Sequence, residues 1–411
     1  MEDEVVRGMT QELTVGERVA WYRRRRGMSQ EALAGLVGRS EDWMSKIENN
    51  RISLDRLSVI RLLADALDIS LGDLIGEPTL LEWTADSGTS TVPALRAALM
   101  DYGHLVPSLT SRGSDVELLG ITALERDLSD VFDAYQASKF GFAAGRLPAL
   151  LAAALARART DADERSHRVL ALSYQAAASV LTKLGEADLA WNAAERGLVA
   201  ANHAGDPAIL GSLMRSTAFT IMSTGRLQPA IELVQTGASY LERHLAGCRS
   251  DLLSVYGTLL LVGSMAAARS GRRDVVRNFL TEADRTAGRL GGDCNHLWTA
   301  FGPTNVDIHR VNTAMELGDV QIALDLGPML DTSALPTERQ VRHRLDIARA
   351  FNFAGRQDDS ICAVLEAERM APEQVRHHYL SRQLVLVWMR NSRGRPTHAL
   401  ESLAHRMRIV R

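Results

Sequence analysis

The sequence predicts an all-α protein in which a small N-terminal helical domain precedes a long solenoid of helical hairpins. The first observation is the stretch SQEALAGLVGRSEDWMSKIE at 29–48, which encodes two short helices separated by a tight turn. The second is that, from about Asp115 onward, the chain is rich in Ala and Leu, has helical periodicity and returns repeatedly to glycine. We therefore expect three regions, at 12–76, 77–115 and 116–411.

Composition sets the broad class of the protein. The chain has 411 residues and a net charge of −3, so it is long enough for two or more domains and is not a polycation. Residues 10–76 hold ten Arg or Lys and ten Asp or Glu, so nucleic-acid binding there depends on where the charges lie. Three scattered cysteines, an acidic N-terminus and the lack of an apolar run of about 18 residues predict a soluble cytoplasmic protein without membrane contact.

The two-helix stretch is predicted to form a helix-turn-helix. Ser29 can cap the first helix, because its hydroxyl accepts a backbone N–H that the helix leaves unpaired. Gly38 can adopt the positive φ of the tight turn, which a β-carbon disfavours. Ser40 then caps a second helix that buries Met44 and Ile47 and turns its polar residues outward. A helix presented in this way fits the major groove of B-DNA.

The stretch resembles the helix-turn-helix of the Xre/Cro repressor family, and the resemblance covers about residues 12–76. Upstream, VGERVAWYRRRRGMSQ matches the family's first helix, with an apolar stripe at Val15, Val19 and Tyr22. Downstream, IENNRISLDRLSVIRLLADALDISLGDLIG matches its last two helices, with Asn50 where the family commonly has glycine. Asparagine also tolerates a left-handed turn. The resemblance implies a five-helix domain that binds double-stranded DNA.

The outer side of the second helix supplies the candidate base-reading residues. Lys46 has the reach to donate to guanine O6 or N7, and Ser45 can pair with either base type. Glu41 and Asp42 either accept from cytosine N4 or stabilise the N-terminus of the helix. For Asp42 the second role is favoured.

Other residues of the predicted DNA-binding set are expected to contact the DNA backbone. Gln30 occupies the position that clamps a phosphate in the family. Trp43 is expected to be half exposed, lying against sugar-phosphate or packing on the first helix of the domain. Arg39 and Arg51 flank the motif and suit phosphate contact. Ser40, which caps the second helix, is also a member of the predicted DNA-binding set.

Residues 77–115 have the composition of a linker. Proline, glycine and serine recur through this region, and only the patch Ala94–Tyr102 is predicted to be helical. We therefore expect a linker that contains one bridging helix.

A recurring glycine divides the rest of the chain into repeats. Successive glycines lie 37 to 47 residues apart, and a small residue commonly follows five positions later. A helix pair joined at a glycine, with small residues where the helices touch, is typical of a helical hairpin. Six clear turns and one weaker first turn are predicted, at Gly185, Gly225, Gly271, Gly318, Gly355 and Gly394, preceded by Gly145.

The repeats resemble degenerate tetratricopeptide repeats over 116–411, with a non-repetitive helical bundle as the alternative. The resemblance implies a right-handed superhelix whose first helices line a concave surface. Amides, cations and apolar side chains on that surface suit an extended peptide, although a solvated face of any arginine-rich protein has a similar composition. The candidate effector-binding residues are Gln175, Lys183, Arg215, Phe219, Arg269, Asn305, Asn312, Arg342, Arg349 and Asn352.

An Xre-type head followed by a tetratricopeptide superhelix resembles the RRNPP group of bacterial peptide-responsive regulators. In that group the superhelix binds a short linear peptide, and the C-terminal repeats often join two copies. The resemblance implies a transcriptional regulator of quorum sensing that binds a palindromic operator as a homodimer. The expected dimer contacts are apolar residues at the end of the array: Tyr379, Leu384, Leu386, Val387, Trp388, Leu400 and Leu403.

Two other functions stay open. A DNA-bound adaptor would hold the tail of another protein in the same groove. An enzyme is implied only by relatives of the superhelix that lack the DNA-binding head. The sequence has no phosphate-binding glycine loop and no nucleophile elbow, and the loose set Cys294, His296, Asp307 and His309 is expected to stay apart. We therefore expect no catalytic residues, no metal and no cofactor.

Overall fold

The protein is all-α wherever its structure is described, as the sequence predicts. The structure is a computed structural model that describes residues 13–52, 54, 57–69, 71–75, 91–100, 119–247, 249–392 and 396–409. Within those ranges, the β-type pairing is confined to an isolated bridge between Cys294 and Phe301. Most of the predicted linker and the predicted turn at Gly394 lie outside the described residues.

The described part of the N-terminal head is a bundle of five helices around one apolar core. The helices are α1 (Val15–Arg25), α2 (Gln30–Leu36), α3 (Glu41–Glu48), α4 (Leu57–Ala66) and α5 (Leu71–Ile75). Thr14 caps α1 by accepting from the N–H of Glu17 at 3.1 Å, and the Glu17 carboxylate accepts from the N–H of Thr14 at 2.8 Å. Asn50 has a φ of 56°, so it takes the left-handed turn expected of it. This bundle holds α3 as a rigid unit.

The array that follows is built from antiparallel hairpins. Its described helices are α6 (Thr91–Met100), α7 (Ile121–Gln136), α8 (Phe140–Asp161), α9 (Glu164–Lys183), α10 (Ala187–Ala204), α11 (Pro207–Ser223), α12 (Leu227–Glu242), α13 (Ser250–Arg269), α14 (Arg273–Leu290), α15 (Pro303–Leu317), α16 (Val320–Leu326), α17 (Thr337–Phe353), α18 (Gln357–Met370), α19 (Pro372–His377), α20 (Tyr379–Asn391) and α21 (His398–Arg406). From α7 onward, neighbouring helices pair as hairpins, and α6 packs on α8 and α10. The helix predicted within the linker is therefore present.

Five of the predicted glycine turns are confirmed. Gly185, Gly225, Gly271, Gly318 and Gly355 each join the two helices of a hairpin, and their φ values lie between 74° and 87°. Glycine is favoured there because a β-carbon would strain the left-handed conformation. The small residues expected five positions later are buried at Ala190, Ala230, Val276, Ala323 and Ser360.

The predicted turn at Gly145 is wrong. Gly145 lies inside α8, and the first hairpin turns at Ser138, whose φ is 62°. The alanine- and leucine-rich sequence around Gly145 favours helix strongly enough to continue through one glycine. No glycine marks the true turn, so the sequence pattern placed the first hairpin in the wrong register.

Two helices of the array, α8 and α13, are long and apolar enough to cross a membrane by length and composition. This corrects the expectation that no such apolar segment exists. The structure gives the reason for α13: every residue from Leu252 to Arg269 is buried against neighbouring helices. Helix α13 is therefore apolar because it forms part of the core of the array.

The array closes on itself. At its start α7 contacts α17, which lies near its end. Lys183 at the end of α9 pairs with Glu338 at the start of α17, with 2.5 Å between Nζ and Oε1. The loop between α14 and α15 also reaches α7, where the Trp298 ring stacks on Phe132 with centroids 4.3 Å apart. The start of the array therefore contacts both α17 and the loop between α14 and α15, and these contacts border the inner side of the array.

The apolar residues at the end of the array are buried within one chain. Leu384, Trp388 and Leu403 are at most 4% exposed, because α20 and α21 pack together and on the preceding hairpin. Two other residues of α20, Gln383 and Arg390, contact the N-terminal head. The surface expected to join two copies is therefore already covered, and the side chain of Tyr379 lies outside the described residues.

Candidate nucleic-acid interface and inner polar site

The helix-turn-helix has the caps and the turn that the sequence predicts. The Ser29 hydroxyl accepts from the N–H of Ala32 at 3.0 Å. The Ser40 hydroxyl accepts from the N–H of Trp43 at 3.2 Å. Between the two helices Gly38 has a φ of 65°. These contacts fix where α2 and α3 begin, and therefore which residues of α3 point outward.

Glu48 fastens the inner side of α3 to the rest of the head. Its carboxylate accepts two hydrogen bonds from the Arg23 guanidinium, at 2.5 and 2.7 Å. Arg23 also donates to the carbonyl of Met28 at 2.7 Å. Glu48 accepts a third hydrogen bond from the Gln30 amide at 2.7 Å. One carboxylate therefore joins α1, α2 and α3, and the amide nitrogen of Gln30 is held inside the protein.

The outward side of α3 carries the residues predicted to read bases. Glu41 and Asp42 are exposed in its first turn, where their charge favours the helix N-terminus. Lys46 forms an ion pair with Asp42 one turn earlier, with 2.6 Å between Nζ and Oδ2. Ser45 lies beside it and is partly exposed. An exposed pair of this kind is worth about 0.5 kcal/mol, so Lys46 is readily released to a base.

The predicted phosphate contacts border the same surface. The Arg39 guanidinium lies 5.6 Å from the ring centroid of Trp43, which is half-buried as expected. Arg51 is exposed, and its N–H donates to the carbonyl of Lys46 at 2.8 Å. Together with α3 these residues form a continuous polar surface flanked by arginines.

The head is docked on the array through the side of the bundle away from the outer residues of α3. Gln383 of α20 accepts from the N–H of Val15, the first residue of α1, at 2.9 Å. Arg390 of α20 pairs with Glu17, with 3.2 Å between Nε and Oε1. Leu54 lines the apolar crevice between head and α20. Glu41, Asp42, Ser45 and Lys46 do not line that crevice, so docking leaves them accessible.

Among the partly exposed members of the predicted effector set, three charged residues lie on the inner side of the array. Lys183 pairs with Glu338, as described above. Arg342 approaches His378, the residue that caps α20, with 2.9 Å between Nη1 and Nε2. Arg215 forms no hydrogen bond through Nε, which is buried. These side chains come from α9, α11 and α17, so closure of the array brings distant repeats to one place.

Other predicted effector residues are engaged in internal contacts. Arg349 is 0% exposed and bonds to Glu316 and Asp346, and Asn312 donates to Asp346 at 2.8 Å. Their side chains therefore do not reach the inner surface. Four further members of the set are placed as follows: Asn305 donates to the carbonyl of Ala300, Asn352 accepts from the Trp388 indole, Phe219 packs on the core of α11–α13, and Arg269 is buried on α13.

Gln175 occupies an unusual position among the predicted effector residues. It is 0% exposed on α9, yet neither atom of its amide has a hydrogen-bond partner among the described residues. A buried unpaired amide is costly, so such groups in native structures call for a physical reason.

Burial and the cations of the inner side shift the pKa values of its titratable groups. Burial alone would raise the pKa of Glu338, but Lys183 and Arg339 lower it to about 2. Burial together with the charge of Arg339 lowers the pKa of His309 to about 4. Burial and nearby cations, Arg342 first, also hold the pKa of His378 well below its usual value. Glu338 therefore stays ionised, and His309 and His378 stay neutral, at pH 7.

Sequence reasoning missed Glu338, Arg339 and His378. Glu338 lies four residues before Arg342, so extending the predicted inward face of α17 by one turn would have found it. His378 follows the short helix α19, which interrupts the repeat pattern and hides its register. These residues lie at one site only because the array closes on itself, and the sequence pattern does not predict that closure.

The first conclusion concerns the class of the protein. Residues 14–75 match a family model described as a helix-turn-helix domain, in agreement with the capped helices and with the outward side of α3. The protein therefore carries a helix-turn-helix DNA-binding domain ahead of a solenoid of helical hairpins. Among curated protein sequences none matches the chain.

A comparison with solved structures matches the chain to three proteins of low sequence identity, among others. BtubC (BKLC) from P. vanneervenii is 16% identical, with 60% of this chain and 91% of that chain covered, at a TM-score of 0.39. A Rap protein complexed with competence and sporulation factor is 12% identical, with coverage of 89% and 99% and a TM-score of 0.49. Bacillus thuringiensis PlcR in complex with the peptide PapR7 and DNA is 12% identical, with coverage of 85% and 99% and a TM-score of 0.36. At such values, the ligands named there belong to those proteins alone.

Proposed function

We propose that this protein is a sequence-specific transcriptional regulator whose array binds an effector, a short peptide, that changes its affinity for DNA. The observation that carries the proposal is α3, which is capped at its start and anchored through Glu48 on its inner side. Its outer residues Asp42, Ser45 and Lys46 are left accessible. A firmly held helix with a polar outer side is what the major groove admits. We place the protein in the bacterial cytoplasm, without a catalytic role.

Within this function, Lys46 and Ser45 read bases and the surrounding residues hold the DNA backbone. Arg39 and Arg51 are exposed on either side of α3 and suit phosphates. Gln30 donates one amide N–H to Glu48, so it would offer a phosphate its second amide N–H or its backbone N–H at the start of α2. Three phosphate-contacting residues and two base-reading residues per head favour a modest affinity for a single half-site.

The inner side of the array is the proposed effector site. Lys183, Arg215 and Arg342 are partly exposed there, whereas Asn312 and Arg349 support them from within. Because the start of the array contacts α17, the inner side between them is restricted, which suits a small free ligand better than the tail of a large partner protein. This closure favours a sensed effector over the adaptor function.

Helix α20 is the proposed link between effector and head. Its capping residue His378 contacts Arg342 on the inner side, while its Gln383 and Arg390 hold the start of α1. An effector that moves Arg342 therefore acts on the helix that positions the head. The coupling must be reciprocal, so operator DNA changes effector affinity by the same factor that effector changes DNA affinity.

We also propose that the protein acts as a homodimer on a palindromic operator. A single head of neutral charge covers little DNA, and two linked heads raise each other's effective concentration. Since the end of the array is buried within one chain, the second copy meets a different surface. Light scattering at micromolar concentration should give twice the mass of the chain, and the monomer mass would contradict this proposal.

Mapping of bound sites across the genome tests the regulatory function. In cells that produce the full-length protein, we expect discrete occupied sites near promoters, and loss of most of them for Lys46→Ala at equal protein level. Lys139→Ala, which changes an exposed lysine of the array, is the matched control. An even distribution of bound DNA for the unaltered protein would contradict the proposal.

A further inference from the structure

The inner polar site contains more positive than negative charge. Five cations and three carboxylates are linked there by ion pairs or electrostatic contacts, with Arg349 and Glu316 buried beneath the surface: Lys183, Arg215, Arg339, Arg342 and Arg349, with Glu316, Glu338 and Asp346. Buried or half-buried charges without partners are costly unless another group neutralises them. The excess of cations is therefore a property that needs a physical reason.

Arg215 is the cation of this site that has no ion-pair partner among the described residues, although Glu338 lies near enough to stabilise its charge. Among the described residues, no carboxylate forms an ion pair or hydrogen bond with it, and its Nε is buried without a partner. Burial and repulsion from Arg339 lower the pKa of Arg215 to about 10. The Nη2 atom of Arg342 is likewise buried without a hydrogen-bond partner. Two guanidinium groups of the site thus have donors that the protein itself does not use.

Gln175 adds an independent observation on the neighbouring helix. Its amide is fully buried, and both its donor and its acceptor lack partners among the described residues. On α9, Gln175, Ser179 and Lys183 share one side of the helix because they are four residues apart. Ser179 also lies 3.5 Å from Ser216, the residue after Arg215. An unused amide and an unused guanidinium therefore occur on adjacent inner helices.

We propose that the effector is an acidic peptide, in the sense of one bound through a carboxylate: Arg215 and Arg342 bind that carboxylate while Gln175 pairs with the peptide backbone. This inference rests on the proposed function, and it adds the chemical class of the ligand. A carboxylate accepts paired, charge-assisted hydrogen bonds from guanidinium groups, and it supplies the missing negative charge. A backbone amide offers the acceptor and the donor that a Gln side chain requires.

The carboxylate has two possible sources in a peptide, an Asp or Glu side chain and the C-terminus. Both present the same chemistry to Arg215. Two synthetic heptapeptide libraries of random sequence distinguish them, one with free C-terminal carboxylates and one with C-terminal amides. Each library is incubated with the full-length protein, and the retained peptides are separated and identified by mass spectrometry.

We expect retained peptides to be enriched in Asp or Glu in both libraries, or to come from the free-acid library alone. Arg215→Gln should bind those peptides about 10- to 100-fold more weakly, the effect of losing one charge-assisted interaction. Arg277→Gln, which alters an exposed arginine on α14, should bind them as the unaltered protein does. Arg215→Gln should also unfold at no lower temperature than the unaltered protein, because a cation without an ion-pair partner is removed.

The contrary outcomes separate this inference from the function on which it rests. Retention of neutral or basic peptides in both libraries leaves a peptide effector in place and overturns its acidic class. Equal weakening by Arg215→Gln and Arg277→Gln overturns the assigned site. Retention of no peptide from either library contradicts the peptide effector itself, and this inference with it.

Discussion

At the scale of single residues, Glu48 determines how firmly the recognition helix is held. Its carboxylate is 3% exposed and accepts from both Arg23 and Gln30. The hydrogen bonds that Arg23 donates to Glu48 raise the pKa of Arg23, so the guanidinium is charged in the folded head. Removal of the carboxylate would leave that charge buried and unpaired.

We expect Glu48→Ala to destabilise the head by about 3–5 kcal/mol, the usual cost of breaking a buried ion pair from one side. Hydrogen exchange of the amides in α1 and α3 measures this locally in the full chain. Glu31→Ala, at an exposed position of α2, is the control and should change the exchange by less than about 0.5 kcal/mol. Equal effects of the two substitutions would contradict the anchoring role of Glu48.

His309 makes stability depend on pH. Its Nδ1–H donates to the carbonyl of Asn305 at 2.8 Å, and burial lowers its pKa to about 4 from an ordinary value of 6.5. Between these values the unfolded chain binds more protons than the folded one. The free energy of unfolding therefore falls as pH falls from 6.5 to 4, by up to about 1.4 kcal/mol per pH unit.

We expect His309→Gln to flatten this part of the pH dependence, since a glutamine amide can keep the hydrogen bond but cannot gain a proton. Urea unfolding at half-unit steps from pH 7 to pH 4.5 measures the slope. His398→Gln, at an exposed position of α21, should leave the slope unchanged. An unaltered slope for His309→Gln would show that other groups are responsible.

At the scale of elements, the glycine turns show what the sequence could predict. A left-handed residue is locally encoded, so Gly271 could be located from the sequence and has a φ of 74°. At Gly145 the surrounding residues favour helix more strongly than the glycine favours a turn, so the predicted turn does not form. The same reasoning located the caps of α2 and α3, because capping depends on residues within one turn.

Two glycines of one hairpin test this account of the turns. Gly271→Ala should destabilise the protein by about 1–2 kcal/mol through backbone strain alone, since an added β-carbon meets no atom within 4 Å. Gly288→Ala, inside α14 and equally free of contacts, should stabilise it by up to about 1 kcal/mol. Thermal unfolding of both variants measures the difference, and shifts of the same sign would contradict the explanation.

At the scale of the whole molecule, closure of the array could not be predicted from the sequence. The Lys183–Glu338 pair joins residues 155 positions apart. Whether they meet depends on the small rotation from one hairpin to the next, summed over several repeats. An error of one or two residues in the helix register rotates Glu338 off the inner face. Local pattern therefore located Lys183 and Arg342 but not the site that they form together.

The central claim is that the head reads DNA sequence through the outer side of α3. Its most direct test is the sequencing of random-sequence duplexes retained by the full-length protein at fixed salt. The account predicts one enriched motif for the unaltered protein and for Lys139→Ala. For Lys46→Ala it predicts the same motif with one relaxed base position and binding weaker by about 1–3 kcal/mol. The absence of any enriched motif, or an identical motif and affinity for Lys46→Ala, would contradict it.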